Sequence, residues 1–387
     1  MKRIALLCAL LAAMLIQSAS AKPNSEEFAL PPFTGGYEPL DDDERGLWMQ
    51  IDEFERNVVS DPNLIRDERL IEYLQTTLCN SVGMDRCEGT RIHVVRAASF
   101  NAGMYPNGMM IVHTGALLRL RNEAELASLL GHEFAHFEKR HGVNGFKSKK
   151  TTSDIIVWAS FVGAGRSFMD AMVGSFMSYK RDQEREADLV SAAYLQASPY
   201  ASSAAAEVWV RLMDEDAAQA KERNRRKLNR HAGWLDSHPA PYERAKYLSR
   251  IEDPETKDGD LGADRYAEAI SPYLLDFFDD QLQRNDFAGT SYMLEQMAAG
   301  GWTADLLLLR GELYRKRGNP RDLVTAAQSY QDAIEAGCQK PEVWRGLGLA
   351  KMRSGAMDEG RAALRVYLEK APDAPDAKMM KAMEGDF

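Results

Sequence analysis

The sequence predicts a mainly α-helical fold with one small β-sheet (α+β), followed by a run of helix pairs. Three observations predict it. Strand-like residues and turn chemistry are confined to the stretch between Ile92 and His113. Apolar residues at helical spacing fill much of the chain on either side. Beyond residue 270, small residues recur at fixed places within paired helical segments. The 387 residues suffice for one large domain plus a small one. A hydrophobic share of 45% excludes wholesale disorder, and a formal charge of −10 leaves no electrostatic footprint for nucleic acid. Four cysteines are too few for a disulfide scaffold.

At the N-terminus, Lys2 and Arg3 precede an unbroken apolar run from Ile4 to Ile16, and Ala19-Ser20-Ala21 follows. That order predicts a signal peptide over residues 1–21, cleaved after Ala21. The run falls short of the roughly 20 apolar residues that span a bilayer. Residues 22–44, with Pro23, Pro31, Pro32 and the acidic run Asp41–Glu44, read as an extended leader. Export to an oxidising compartment makes Cys79 and Cys87 an expected disulfide, with Cys338 an unpaired, buried thiol in the helical repeats.

The elements follow in order. Two helices are expected at Leu47–Val58 and Leu64–Thr77, then a strand at Ile92–Val95. Phe100–Met104 and Met109–His113 flank Pro106-Asn107-Gly108 and read as a hairpin. Asn122, with Glu125 three residues on, has capping-box spacing and starts a helix that Gly142 is expected to stop. The apolar stretch Ile155–Met177 carries Arg166 and Asp170, so it reads as a buried helix rather than a membrane span. Helices over Arg181–Leu195 and about Ser203–Ala218 complete a domain set at residues 45–260. The basic run Lys221–Arg230 reads as a solvated face, with a cover over the cleft or a peripheral contact to acidic surfaces or lipid headgroups as the functional reading. Over residues 265–387, Trp344, Leu347, Gly348 and Pro372 match a tetratricopeptide pattern. One repeat earlier, Leu307, Gly311, Tyr314, Ala326, Tyr330 and Ala333 fit it with a short insertion.

The chemistry sits at His132-Glu133-Phe134-Ala135-His136, an H-E-x-x-H motif within a helix. A helix turns about 100° per residue, so the two imidazoles lie about 40° apart on one face and can bind one zinc ion. Glu133, offset by one residue, can reach a water at the metal without being a ligand and serves as general base. A third ligand is needed. His141 lies about 180° round a continuous helix from His132 and is set aside. The longer zinc signature places glycine and histidine where Lys139 and Gly142 stand. The segment Arg181–Asp188 offers Glu184 as the third ligand and Asp188, one turn on, as the acceptor that fixes an imidazole tautomer; Glu186 points to another face.

H-E-x-x-H followed by Glu184-Arg185-Glu186-Ala187-Asp188 resembles the HtpX, BepA and CAAX-prenyl-protease group of zinc metallopeptidases. The resemblance spans about residues 50–250, taking in Met109–Gly115 and His238-Pro239 with Arg244. It implies a gluzincin-type metallopeptidase domain holding one Zn2+ per chain. With an export signal and C-terminal tetratricopeptide-like helices, the chain is similar to the periplasmic BepA-like members. That implies an endopeptidase acting on misfolded or unassembled envelope proteins, with envelope assembly machinery as a partner of the repeats. The alternative is a chaperone or scaffold whose zinc site is latent. His238 is read as an oxyanion donor, as a ligand that blocks the zinc, or as a turn residue before proline. Arg244 anchors that segment or touches substrate. The strand Met109, Met110, Ile111, Val112 and His113, if it forms a sheet edge, would receive an extended peptide by main-chain hydrogen bonds.

Overall fold

The computed structural model describes residues 38–149, 179, 181–222, 241–251, 255–256 and 258–385. The expected signal peptide, the helix Ile155–Met177, His238 and most of the basic run lie outside them.

Helix α1 (Asp42–Ser60) starts inside the segment expected to be an extended leader. The acidic run is its first turn: Asp41 is the N-cap and accepts from the Glu44 amide, while Asp42, Asp43 and Glu44 meet the positive end of the helix dipole. The expected helix at Leu64 is displaced as well. Leu64–Ile65 form strand β1, and helix α2 (Glu68–Val82) begins only after Asp67 caps it. Cys79 near the end of α2 is bonded to Cys87 in the one-turn helix α3 (Met84–Cys87). Closing a loop of this length is worth about 2–3 kcal/mol of chain entropy in the unfolded state. Replacing both cysteines by serine is therefore expected to lower stability by that amount in urea melts.

Strands β2 (Arg91–Val95), β3 (Ala102–Met104) and β4 (Met109–His113) join β1 in a four-stranded sheet of order β1-β2-β4-β3. The hairpin is present: β3 and β4 are antiparallel, paired from Ala102 with Val112 to Met104 with Met110. Strand β2 runs parallel to β4, pairing Arg91 with Met109 through Val95 with His113. The conditional expectation for Met109, Met110, Ile111, Val112 and His113 therefore fails. Strand β4 is interior, its backbone is already paired on both sides, and all five residues are buried.

After helix α4 (Thr114–Arg119), α5 (Glu123–Glu138) carries the motif. Asn122 caps α5 by accepting from the Glu125 amide at 2.8 Å. The Glu125 carboxylate reaches back one residue further than a capping box requires, to the Arg121 amide at 2.9 Å. Gly142 does not stop this helix. Lys139 is its C-cap, Arg140 takes a left-handed φ of 56°, and α6 (His141–Lys149) begins at once. The buried Glu44 carboxylate holds the Arg140 guanidinium at 2.7 Å. Helix α7 (Arg181–Ala197) packs along α5 at Gly131, where an added Cβ would sit 3.3 Å from Ser191 Oγ and 3.4 Å from Ser81 Oγ. Ser191 and Ser81 bond to the α5 carbonyls of Ser128 and Ala127, which fixes three helices together in the turn before His132.

Helices α8 (Ala204–Glu222) and α9 (Pro241–Ile251) close the domain. Past α10 (Ala263–Ile270) come α11 (Leu274–Leu282) and α12 (Phe287–Met297). Two helix pairs follow, α13 (Ala304–Arg317) with α14 (Pro320–Glu335) and α15 (Glu342–Arg353) with α16 (Met357–Lys370), then α17 (Ala377–Glu384). Tyr330 is wedged against Gly311 and Gly346, where added Cβ atoms would meet its ring at 2.5 and 2.3 Å. Cys338 is buried among these helices as a free thiol. One apolar core runs from Leu70 of α2 through Leu130 and Trp209 to Phe277, Phe278 and Leu313, past the expected boundary near residue 260. Arg119 clamps the same junction. Its guanidinium meets both oxygens of Glu215 on α8 (2.6 and 2.8 Å) and Gln281 of α11 at 3.0 Å.

Candidate metal centre

The sequence of α5 places His132 and His136 one turn apart on a helix buried along almost its whole length. Their Nε2 atoms are 3.1 Å apart. Glu184, in the first turn of α7, brings its carboxylate to 3.6 Å from His132 Nε2 and 3.5 Å from His136 Nε2. Donor atoms of these three residues all lie within 4.8 Å of one another, and all three are buried. Two imidazoles and one carboxylate, with a coordination position left over, are the donor set of a catalytic zinc site.

The surroundings fit a dication. Three buried carboxyl groups, Glu133, Glu184 and Asp188, share the site with one buried guanidinium, Arg244. A divalent ion would bring that set, once ionised, to neutrality. Each ring also has its Nδ1 engaged away from the site, which directs both Nε2 atoms inward. His132 Nδ1 is 3.0 Å from Asp188 Oδ1, the role expected for Asp188. Arg244 Nη2 lies 3.2 Å from the same nitrogen. A metal held at Nε2 would leave the proton on Nδ1 to be donated to Asp188, which would make the guanidinium a close neighbour there and not a donor.

Arg244 belongs beneath the site. It is 1% exposed, bonds Asp188 through Nε at 2.8 Å and again through Nη2, and stacks on Trp209 at 3.8 Å. The guanidinium also comes within 3.4 Å of His132 Nε2 and 3.7 Å of Glu184 Oε2. Tyr247, three residues on, also donates to Asp188. Burial alone would raise the Asp188 pKa; the Arg244 charge and the His132 bond hold it well below the usual carboxylate range. Burial and Arg244 press the His132 pKa down, but the Asp188 and Glu184 carboxylates outweigh them and raise it to about 9 in the metal-free protein.

A pH dependence follows. A histidine raised from 6.5 to about 9 on folding stabilises the metal-free protein fully below pH 6.5, and that contribution is lost as pH rises through 9. The linkage is on the order of 3 kcal/mol. Zinc must displace the same proton, so its affinity is expected to rise about tenfold per pH unit over that window. Chelator competition and metal-free melts between pH 6.5 and 9.5 measure both; a zinc affinity flat across the window would contradict it.

Glu133 lies between the ligands in sequence, fully buried and outside the donor set. Burial first, and the Glu133 charge second, push the phenols of Tyr105 and Tyr179 up, so both hydroxyls stay protonated beside it. Sequence reasoning missed Tyr179, whose ring stacks on His136 with centroids 3.7 Å apart, and Trp209 under Arg244. An aromatic preceding the Arg181–Asp188 segment, and a tryptophan one helix on, were the only signals. His141 was set aside as a ligand and lies outside the convergent donor set. It nonetheless reaches His136, Nδ1 to Nδ1, at 2.9 Å, because the reversal at Arg140 ends the helix that would have carried it away.

Comparison with known proteins agrees with this geometry. The model of peptidase family M48 matches residues 66–252. A putative beta-barrel assembly-enhancing protease of Vibrio cholerae is 28% identical over 165 residues, covering 39% of this chain and 32% of the relative. The mitochondrial metalloendopeptidase OMA1 of Schizosaccharomyces pombe is 25% identical over 160 residues (41% and 45%). The beta-barrel assembly-enhancing protease of Escherichia coli is 24% identical over 187 residues (44% and 38%). The match thus spans less than half the length of each of these relatives. Family match, helical motif and convergent donor set coincide on the same residues, and this chain carries a peptidase family M48 metallopeptidase domain at residues 66–252.

Proposed function

We propose that the protein is an exported zinc endopeptidase that cleaves misfolded or unassembled envelope proteins. The observation that carries the hydrolytic part is the convergence of His132, His136 and Glu184 with Glu133 beside them. Bound zinc would supply Lewis-acid polarisation of the scissile carbonyl and activation of water. Glu133 takes a proton from the attacking water and returns one to the leaving amine. Asp188 holds the His132 tautomer, and Arg244 holds Asp188. His238 keeps its three readings, since it lies outside the described residues.

Substrate engagement moves from the interior strand to the outer one. Among the described residues, β3 is outermost on that side of the sheet and packs beside α5; its side chains are as buried as those of β4, so the reading rests on its outer backbone edge, which joins no ladder among the described residues. An extended segment adding to β3 would be selected for lack of structure more than for particular side chains. Such selection suits quality control. The Cys79–Cys87 disulfide supports an oxidising compartment, as the N-terminal export pattern does. The names of the assembly-enhancing relatives, beta-barrel assembly-enhancing proteases, support a role for the protease in envelope assembly. Among the described residues no helix is long and apolar enough to cross a membrane.

Purified protein is expected to digest casein, to lose that activity to a chelator, and to regain it with zinc. Glu184→Ala is expected to retain no stoichiometric zinc. Full zinc content in that variant, or digestion indifferent to chelation, would overturn the assignment.

A further inference from the structure

His136 differs from His132 in its support. A buried carboxylate fixes His132, whereas a second histidine meets His136. His141 is buried, its Nδ1 lies 2.9 Å from His136 Nδ1, and its Nε2 lies 3.1 Å from Glu186 Oε2. Glu186 is half-exposed and also bonds Lys139 at 3.1 Å. A metal at the ligand cluster would determine the protons along this row. With His136 Nε2 turned to the ligand cluster, its Nδ1 carries the hydrogen. His141 Nδ1 must then accept, so its own hydrogen sits on Nε2 and is donated to Glu186. Tyr179 stacks on the face of the His136 ring, 14° from parallel. The in-plane bond to His141 sets the ring's rotation, and the stack sets its plane.

We propose that His141, oriented by Glu186, is a positioning residue for the metal ligand His136. The role rests on the zinc reading above. It also gives the Arg140 reversal a purpose. On an unbroken helix His141 would point away from the motif, and the left-handed Arg140, pinned by Glu44 of α1, turns it back. The acidic first turn of α1 thereby supports the metal centre through Arg140 and His141.

The test uses the full chain. Zinc affinity is measured by chelator competition, and the His136 Nδ1 proton is followed by nitrogen-detected imidazole NMR. His141→Ala is expected to weaken zinc binding about 10–100-fold, the usual cost of losing a ligand's hydrogen-bond partner, and to abolish the slowly exchanging His136 Nδ1 proton. His141→Asn, whose amide oxygen lies near the position of Nδ1, is expected to restore most of both. Should His141→Ala not fold, Glu186→Ala at the half-exposed carboxylate reads the same link, with a smaller loss of affinity. Unchanged affinity and an unchanged proton signal in the folded variants would overturn the positioning role. Wild-type protein that takes up no zinc would overturn the metallopeptidase reading instead, which separates the two failures.

Discussion

Replacing Glu133 with glutamine is expected to cut peptide hydrolysis by about 10²–10⁴-fold or more while zinc content stays at wild-type level. The amide is isosteric, so the fully buried pocket beside Tyr105 and Tyr179 keeps its packing. What is lost is the only carboxylate on the motif's own turn that the ligand cluster does not use. Glutamine cannot take the proton from water or hand it to the leaving amine. Hydrolysis of an unfolded substrate and metal analysis of the same preparation check this together. Wild-type turnover in the variant would dismiss Glu133 as the base, and loss of zinc would show that it serves the metal instead.

Arg244→Met is expected to destabilise the metal-free protein by about 3–5 kcal/mol, the range for removing one partner of a buried ion pair. The guanidinium lies between Asp188 and Glu184, 3.7 Å from the latter, with Trp209 covering its plane. Its loss leaves two buried carboxylates facing each other across His132. Zinc would neutralise part of that charge, so the deficit should shrink in loaded protein. Arg244→Lys should recover little, because an ammonium offers neither the two-point grip on Asp188 nor the flat face against the indole. Urea unfolding with and without zinc measures the effect; a loss under about 1 kcal/mol in both states would show that the pair is dispensable.

The parts of the site legible in the sequence were those written in local spacing. The i, i+4 histidines, the Asn122 cap and the i, i+4 pair Glu184 and Asp188 each follow from helical geometry, and each is where that geometry puts it. The misreadings arose where a long-range contact overrode a local pattern. Leu64 and Ile65 satisfy a helical period but pair with Val95 and Val94 of β2. Asp41–Glu44 reads as the end of an extended leader, but it is the first turn of α1, and Arg140, about a hundred residues on, takes up the Glu44 carboxylate. The contact of His141 with His136 went unread because the helical wheel assumed an unbroken helix, and arginine at position 140 gives no hint of a left-handed backbone. Strand order was also hidden: β4 is interior because β2 pairs with it directly, skipping the hairpin strand β3 that lies between them in sequence, which periodicity alone does not reveal.

The clamp at Arg119 and the shared core around Phe277 and Phe278 constrain how the molecule can be divided. Helix α8 carries both Glu215 of that clamp and Trp209, the seat of Arg244. Trimming the chain to its family-matched residues would strip α11 from this helix, open an oily socket and loosen the floor of the zinc-binding cluster. The C-terminal helices and the metallopeptidase domain therefore share one spine.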